Sequence, residues 1–175
     1  LTTTMESNTI GMFWGSTTEM TSLASESVQK ELESYGHKID SHNVADGLEK
    51  IPDYSKIIIG CPTWNVGELQ DDWDMLYDDF KQIKFENVLG AFFGVGDQYG
   101  YSCNFLDAVG LLARPFMENG GRLVGRWSTD GYEFDESVAL EGDQFLGLGL
   151  DYDNQDTQSE ERIKAWTKMI DPEFK

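Results

Sequence analysis

The chain has 175 residues, 39% of them hydrophobic and 13% aromatic, which suits one domain with a sizeable apolar core and argues against disorder. Its 32 acidic and 13 basic residues leave a net charge of −19, which excludes nucleic acid and anionic membranes as natural partners. The same charge suits solubility alone, or steering onto basic partners.

The first residues, Leu1-Thr2-Thr3-Thr4-Met5-Glu6-Ser7, carry neither a basic region nor an apolar core, so they do not read as a signal peptide. Met5 is a candidate for the natural start, and residues 1–8 read as an extension ahead of the fold. Thr9–Trp14 reads as the first strand. Glu19–Tyr35 reads as a helix with Leu23, Val28 and Leu32 facing the core and Gly36 ending it. His37–His42 is a short second strand and Lys56–Cys61 a third. A helix from Leu69 to Phe80 follows. Val88–Val95 is a fourth strand, apolar enough to be buried on both faces. Asn104–Asn119 is a third helix, with Pro115 inside it as a site for a kink or early break. Arg122–Trp127 and Phe145–Leu150 are strand-like, separated by a polar, acidic excursion over Ser128–Gln144. Gln158–Ile170 closes the chain as a helix with Ile163, Trp166 and Ile170 on one face. No apolar run approaches the roughly 20 residues that span a bilayer. Alternating strands and helices imply a parallel sheet covered on both faces.

Three loops follow three strands and should emerge at one sheet edge, where open α/β sheets bind ligands. The first, Gly15-Ser16-Thr17-Thr18-Glu19-Met20-Thr21, offers hydroxyls and amides at a helix start, which suits an anion or, alternatively, plain N-capping. It lacks the Gly-Lys-Ser/Thr ending of a P-loop and the Gly-x-Gly-x-x-Gly of a dinucleotide turn. The second loop, Pro62-Thr63-Trp64-Asn65-Val66-Gly67, presents a Trp at the sheet edge, unless that ring folds back onto the core. The third runs from Gly94 to Asn104. Asp97 and Asn104 can hydrogen-bond a polar heterocycle there, and Tyr99 and Tyr101 offer an aromatic plane opposite Trp64. Together the loops suggest a phosphorylated planar ligand held between rings. Cys61 and Cys103 form no CxxC pair, and His37 and His42 share no helical face, so no metal site is expected and a reducing compartment fits.

From Thr9 to Phe174 the chain resembles a flavodoxin of the long-chain kind. The resemblance rests on Ser16-Thr17-Thr18 with Thr21, the Gly60–Leu69 segment, and Gly96-Asp97-Gln98 with Gly100-Tyr101 and Asn104-Phe105. Gly131–Phe134, Phe145–Leu148 and Asp153-Asn154-Gln155 complete it. It implies a single flavodoxin-like α/β domain, a three-layer sandwich around a five-stranded parallel sheet in order 2-1-3-4-5. Residues 128–144 would be the insertion that splits the last strand. It implies noncovalent FMN, with Ser16, Thr17, Thr18, Glu19, Met20 and Thr21 around the phosphate. Pro62, Thr63, Trp64, Asn65, Val66 and Gly67 would form a second wall. Trp64 and Tyr101 would flank the isoalloxazine, the amides of Gly96 and Asp97 would serve its pyrimidine edge, and Asn104 would stand beside them. A carbonyl of the Asn65–Gly67 turn would meet N5–H of a neutral semiquinone, and Asp153 would lie near the ribityl chain. Two positions depart from the family pattern. Glu19 stands where Gly is usual and is expected to turn its carboxylate to solvent, and Leu106 stands where a polar side chain is common.

The resemblance further implies a monomeric electron carrier, not an enzyme. Its partners would be basic-faced redox proteins such as ferredoxin–NADP reductase or photosystem I, in a cytoplasm or plastid stroma. An FMN-dependent reductase of similar fold, a phosphatase and a flavin-free receiver module are the alternatives. The phosphatase reading needs Cys-x5-Arg, but Gly67 and Val109 occupy the positions where that Arg would stand.

Overall fold

The computed structural model describes residues 8–15, 19–64 and 66–175, with Glu19 and Trp64 described by their backbone alone. The chain runs β1 (Thr9–Trp14), α1 (Glu19–Ser34), β2 (Lys38–Asn43), β3 (Lys56–Trp64), β4 (Glu68–Leu69), α2 (Asp71–Phe80) and β5 (Leu89–Val95). It continues through α3 (Asp107–Glu118), β6 (Arg122–Leu123), β7 (Trp127–Ser128), β8 (Leu140–Glu141), β9 (Gln144–Phe145), β10 (Leu148–Leu150) and α4 (Ser159–Ile170). The central sheet has the order β10-β5-β3-β1-β2, with all four pairings parallel. At its edge, β6 pairs with Leu89–Gly90 of β5, and β10 pairs with Phe93–Val95 further along the same strand. The fifth strand position is thus occupied by two short pieces. The intervening chain folds into a small antiparallel sheet, β7-β9-β8. Order and split edge both match the expectation from sequence.

Side-chain alternation along the strands divides the core in two. Ile10, Met12, Ile58, Ala91 and Phe93 face Ala24, Val28 and Leu32 of α1 and Ile163, Trp166 and Ile170 of α4. Phe13, Ile57, Ile59, Cys61 and Phe92 face Trp73 and Phe80 of α2 and Val109, Leu112 and Phe116 of α3.

Five expectations need correction. Leu23 is 47% exposed, and Ala24 takes the inward position, because Ala24, Val28 and Leu32 follow the four-residue spacing of one helical stripe. The third strand runs three residues past Cys61 to Trp64, then turns back so that Thr63 pairs with Leu69 and Trp64 with Glu68. The second helix therefore starts at Asp71, after Gln70 caps it by accepting from the Trp73 N–H at 3.3 Å. The third helix starts at Asp107. Leu106 ahead of it is left-handed (φ 61°) and fully buried, and this breaks the helix predicted from Asn104. Pro115 causes no early break. The Leu111 carbonyl, which its missing N–H would have met, accepts instead from the Tyr77 hydroxyl at 3.1 Å.

Candidate functional site

The site lies at the carboxyl ends of β1, β3, β5 and β10. β1 leaves the sheet at Gly15, whose N–H donates to the Gly60 carbonyl (3.2 Å). A Cβ at Gly15 would lie 2.5 Å from Gln70 Oε1 and 2.9 Å from Trp73 Cδ1, so the start of α2 leaves room for glycine alone. Ser16, Thr17, Thr18 and Asn65 lie outside the described residues, as do the side chains of Glu19 and Trp64. The expectations for Glu19 orientation and for the Trp64 ring fall there too.

Beyond that gap α1 begins, and Met20 is exposed at its head. Thr21 is fully buried, and its Oγ1 has no hydrogen-bond partner among the described residues. Ser25, buried one turn deeper, likewise has no partner for its hydroxyl among the described residues. A buried unpaired hydroxyl costs about 1–3 kcal/mol. Thr21 carries that cost in the first turn of a helix, where free amide N–H groups also point outward. The combination is a donor set suited to an anion.

The β3–β4 hairpin supplies the second wall. Its tip, Val66, is 71% exposed, and Gly67 takes φ 78°. A Cβ on Gly67 would lie 2.6 Å from Asp107 Oδ2 and 2.9 Å from Asn104 Nδ2. Both the positive φ and the tight approach demand glycine here. Pro62 is buried in the sheet opposite Val95. Thr63 Oγ1 accepts from the Ala108 N–H at 3.0 Å, so its hydroxyl caps α3.

The loop after β5 supplies the third wall. Gly96 N–H donates to the Leu150 carbonyl (2.9 Å). Asp97 Oδ1 accepts from Gly100 N (2.7 Å), Tyr99 N (3.2 Å) and Asn154 Nδ2 (2.8 Å). Partial burial raises the Asp97 pKa, but these three donors outweigh it and hold the carboxyl below its ordinary value. Asp153 shifts the other way. Burial, then the charges of Asp97 and Asp151, push its pKa up. Tyr99 and Tyr101 are 57% and 43% exposed, leaving ring surface open to a ligand. Asn104 Nδ2 is engaged by Asp107 Oδ2 (3.0 Å), beside Gly67. Cys61 is buried, which pushes its thiol pKa far up, while Cys103 is exposed; neither is in a disulfide.

Gly67, Gly96, Asp97, Tyr101 and Asp153 lie in the segments that follow β3, β5 and β10, and Thr21 lies in the first turn of α1. Two residues had been given no role. Gln98 and Asp151 are both fully buried beneath the third loop. The signal available for Asp151 is a carboxylate set directly after an apolar strand, with Asp153-Asn154 two and three residues on, the composition of an Asx turn.

The family profile described as Flavodoxin matches residues 12–166. A flavodoxin from a Nostoc species is 44% identical over 170 residues, covering 96% of this chain and 98% of its own. The flavodoxin of Synechococcus elongatus is 43% identical, with coverages of 94% and 97%. Among solved structures, the Fusobacterium nucleatum flavodoxin bound to flavin mononucleotide superposes with a TM-score of 0.91 at 30% identity. That match covers 95% of this chain and 99% of the other.

Proposed function

The chain belongs to the flavodoxin family, and we propose that it is a low-potential one-electron carrier holding FMN noncovalently at the carboxyl edge of its sheet. It is an electron-transfer protein and not an enzyme. The observation that carries the cofactor reading is the buried Thr21 hydroxyl in the first turn of α1, which has no partner among the described residues. A phosphate there would satisfy it together with the helix amides and the hydroxyls of Ser16, Thr17 and Thr18.

FMN brings the redox chemistry; the protein brings binding, orientation and electrostatics. Trp64 and Tyr101 would flank the ring, and the Gly96 and Asp97 amides would serve its pyrimidine edge. A carbonyl of the Asn65–Gly67 turn would serve N5, and Asp153 would stand by the ribityl chain. Gly67 keeps that turn free to reorient its peptide, since it has no Cβ to drive into Asp107. The whole chain acts as one monomeric domain, in a cytoplasm or plastid stroma. Its partners are redox proteins with basic docking faces, of the ferredoxin–NADP reductase or photosystem I kind. The 32 acidic residues support that choice of partner.

Titrating the apoprotein with FMN and with riboflavin tests this reading. FMN is expected to bind one to one with a bound-flavin visible spectrum; a protein that takes up no FMN overturns it. Thr21→Val removes one hydrogen bond to a charged group, worth about 1.5–3 kcal/mol. FMN affinity should fall about 10- to 100-fold while riboflavin, lacking the phosphate, stays within about twofold. Equal losses for both ligands would mean that Thr21 supports the fold and not the phosphate. Trp64→Ala and Tyr101→Ala should each weaken FMN by about 0.5–1.5 kcal/mol beyond the lost contact area. Calorimetry that finds both unchanged removes these rings from the site.

A further inference from the structure

Beneath the third loop, a knot of hydrogen bonds around two buried side chains ties together three segments far apart in sequence. At its centre is the fully buried Asp151, immediately after β10. Its Oδ1 accepts from the N–H groups of Asp153 (3.1 Å) and Asn154 (3.0 Å). Its Oδ2 accepts from Gln98 N (3.1 Å), Gln98 Nε2 (2.8 Å) and Asn154 Nδ2 (2.9 Å). Gln98 carries the knot outward. Its Nε2 also donates to Gln155 Oε1 (2.8 Å), and its Oε1 accepts from the Glu133 N–H (2.6 Å) in the 128–144 insertion. Asn154 Nδ2 reaches Asp97 at 2.8 Å. Gln155 Nε2 and Arg162 both donate to the Gly131 carbonyl.

Asp97, Asp151 and Asp153 place carboxylate oxygens within 4.8 Å of one another. Such a cluster would suit a cation if its oxygens were free, but both oxygens of Asp151 already face N–H donors. Every one of its five contacts is a donor pointing at a carboxylate. That is the arrangement in which a buried charge is held by amides and in turn fixes them. Two of those contacts fix Gln98, next to the Gly96–Asp97 amides, and three fix the turn that carries Asp153 and Asn154.

We infer that Asp151 is a positioning residue that holds the Gly96–Gln98 backbone and the Asp153–Asn154 turn in place for the flavin, locked from outside by the insertion through Gln98. This rests on the FMN reading above. The residue touches no cofactor atom itself; it sets where the amides that do so stand. An Asn at 151 has nearly the same volume but turns one acceptor oxygen into an NH2 group. That group would then face at least two N–H donors, whichever way the amide is flipped.

The test compares the full-length wild type, Asp151→Asn, and Ile170→Val as a core variant on α4 remote from the knot. Apoprotein melting, FMN affinity, visible circular dichroism of bound flavin and both one-electron potentials are measured on each. Asp151→Asn is expected to weaken FMN at least tenfold, to change the flavin dichroism, and to alter the ratio of affinities for oxidised and reduced FMN at least threefold. Ile170→Val should lower the melting temperature while leaving dichroism and that ratio unchanged. Wild-type affinity, dichroism and potentials in Asp151→Asn overturn the positioning role while leaving the FMN reading intact. Equal changes in the core variant overturn it as well, because loss of stability alone would then be the cause. Failure of the wild type to take up FMN sinks both readings. If Asp151→Asn does not fold, Gln98→Met decides. It removes the side-chain links to Asp151, Gln155 and Glu133 at similar volume, and the same spectroscopic signature is expected; its absence overturns the inference.

Discussion

Trp73→Ala is expected to cost about 3–5 kcal/mol of folding stability and, with it, most of the affinity for FMN. Trp73 is completely buried in α2 and meets Phe80 edge-on at 5.7 Å. Its Nε1 donates to the Gly60 carbonyl at 3.2 Å, the same oxygen that accepts from Gly15 N–H. The indole therefore packs under the residue at which β1 leaves the sheet, so close that a Cβ on Gly15 would lie 2.9 Å from its Cδ1. Removing it leaves a cavity that the rigid parallel strands cannot close, while Gly15 loses the surface it rests on. The carbonyl of Gly60 keeps Gly15 as a partner, so the loss is dominated by packing and not by an orphaned acceptor. Trp73→Phe keeps much of the ring but not the N–H, and should fall between, at about 1–3 kcal/mol. Urea denaturation of the apoproteins measures the first effect, and FMN titration the second. A loss below about 1 kcal/mol for Trp73→Ala would show that the strand exit does not depend on the indole. A full loss of stability with unchanged FMN affinity would separate the core from the phosphate loop.

The elements that could be read from sequence are those whose pattern is set by burial. Ile57, Ile58 and Ile59 form a run buried on both sides, as a central parallel strand must be, and Ile163, Trp166 and Ile170 keep a single helical stripe. The misses occur where tertiary contacts decide. Leu23 is more hydrophobic than Ala24, so composition favours it for the core, yet the phase set by Val28 and Leu32 favours Ala24. Leu106 adopts a left-handed backbone that propensity reserves for Gly and Asn, and it is held there by complete burial in the α3 core cluster. Pro115 was read as a threat to its helix because Tyr77, 38 residues earlier, could not be known to cover the freed carbonyl. At the candidate site, the glycines, tyrosines and Thr21 could be nominated from sequence because their chemistry is local to each loop. Asp151 was not. In a chain with 32 acidic residues, a carboxylate looks solvated until the N–H groups that converge on it are seen in space.

Neutralising Asp71, Asp72 and Asp74 together should raise the potential of the second one-electron step by up to about 100 mV and slow docking onto a basic reductase about tenfold at low salt. All three lie in the first turn of α2, directly after the hairpin that carries Val66 and Gly67. No Lys or Arg occurs between Pro62 and Phe80, so nothing within that segment offsets them. A carboxylate roughly 10 Å from an added electron, at an effective dielectric of about 40, contributes ~0.8 kcal/mol of repulsion. That corresponds to about 35 mV for one electron, and three such charges set the upper bound before salt screening. The same turn borders a groove of about 450 Å³ lined by Gly67, Glu68, Leu69, Asp71, Asp74, Tyr77 and Leu111. Its acidic rim would suit a lysine or arginine presented by a basic partner. The triple change has a structural cost, because acidic residues favour a helix N-terminus by about 0.3–1 kcal/mol each and Asp72 accepts from Gln70 Nε2 at 2.9 Å. Stability must therefore be measured beside function. Docking should lose its salt dependence in the variant, and the two proteins should converge near 1 M salt, where the screening length is about 3 Å. Stopped-flow reduction at several ionic strengths and a redox titration separate the two effects. A second potential that stays at its wild-type value rejects the tuning role. Association that stays as fast and as salt-sensitive as in the wild type moves the docking face away from α2.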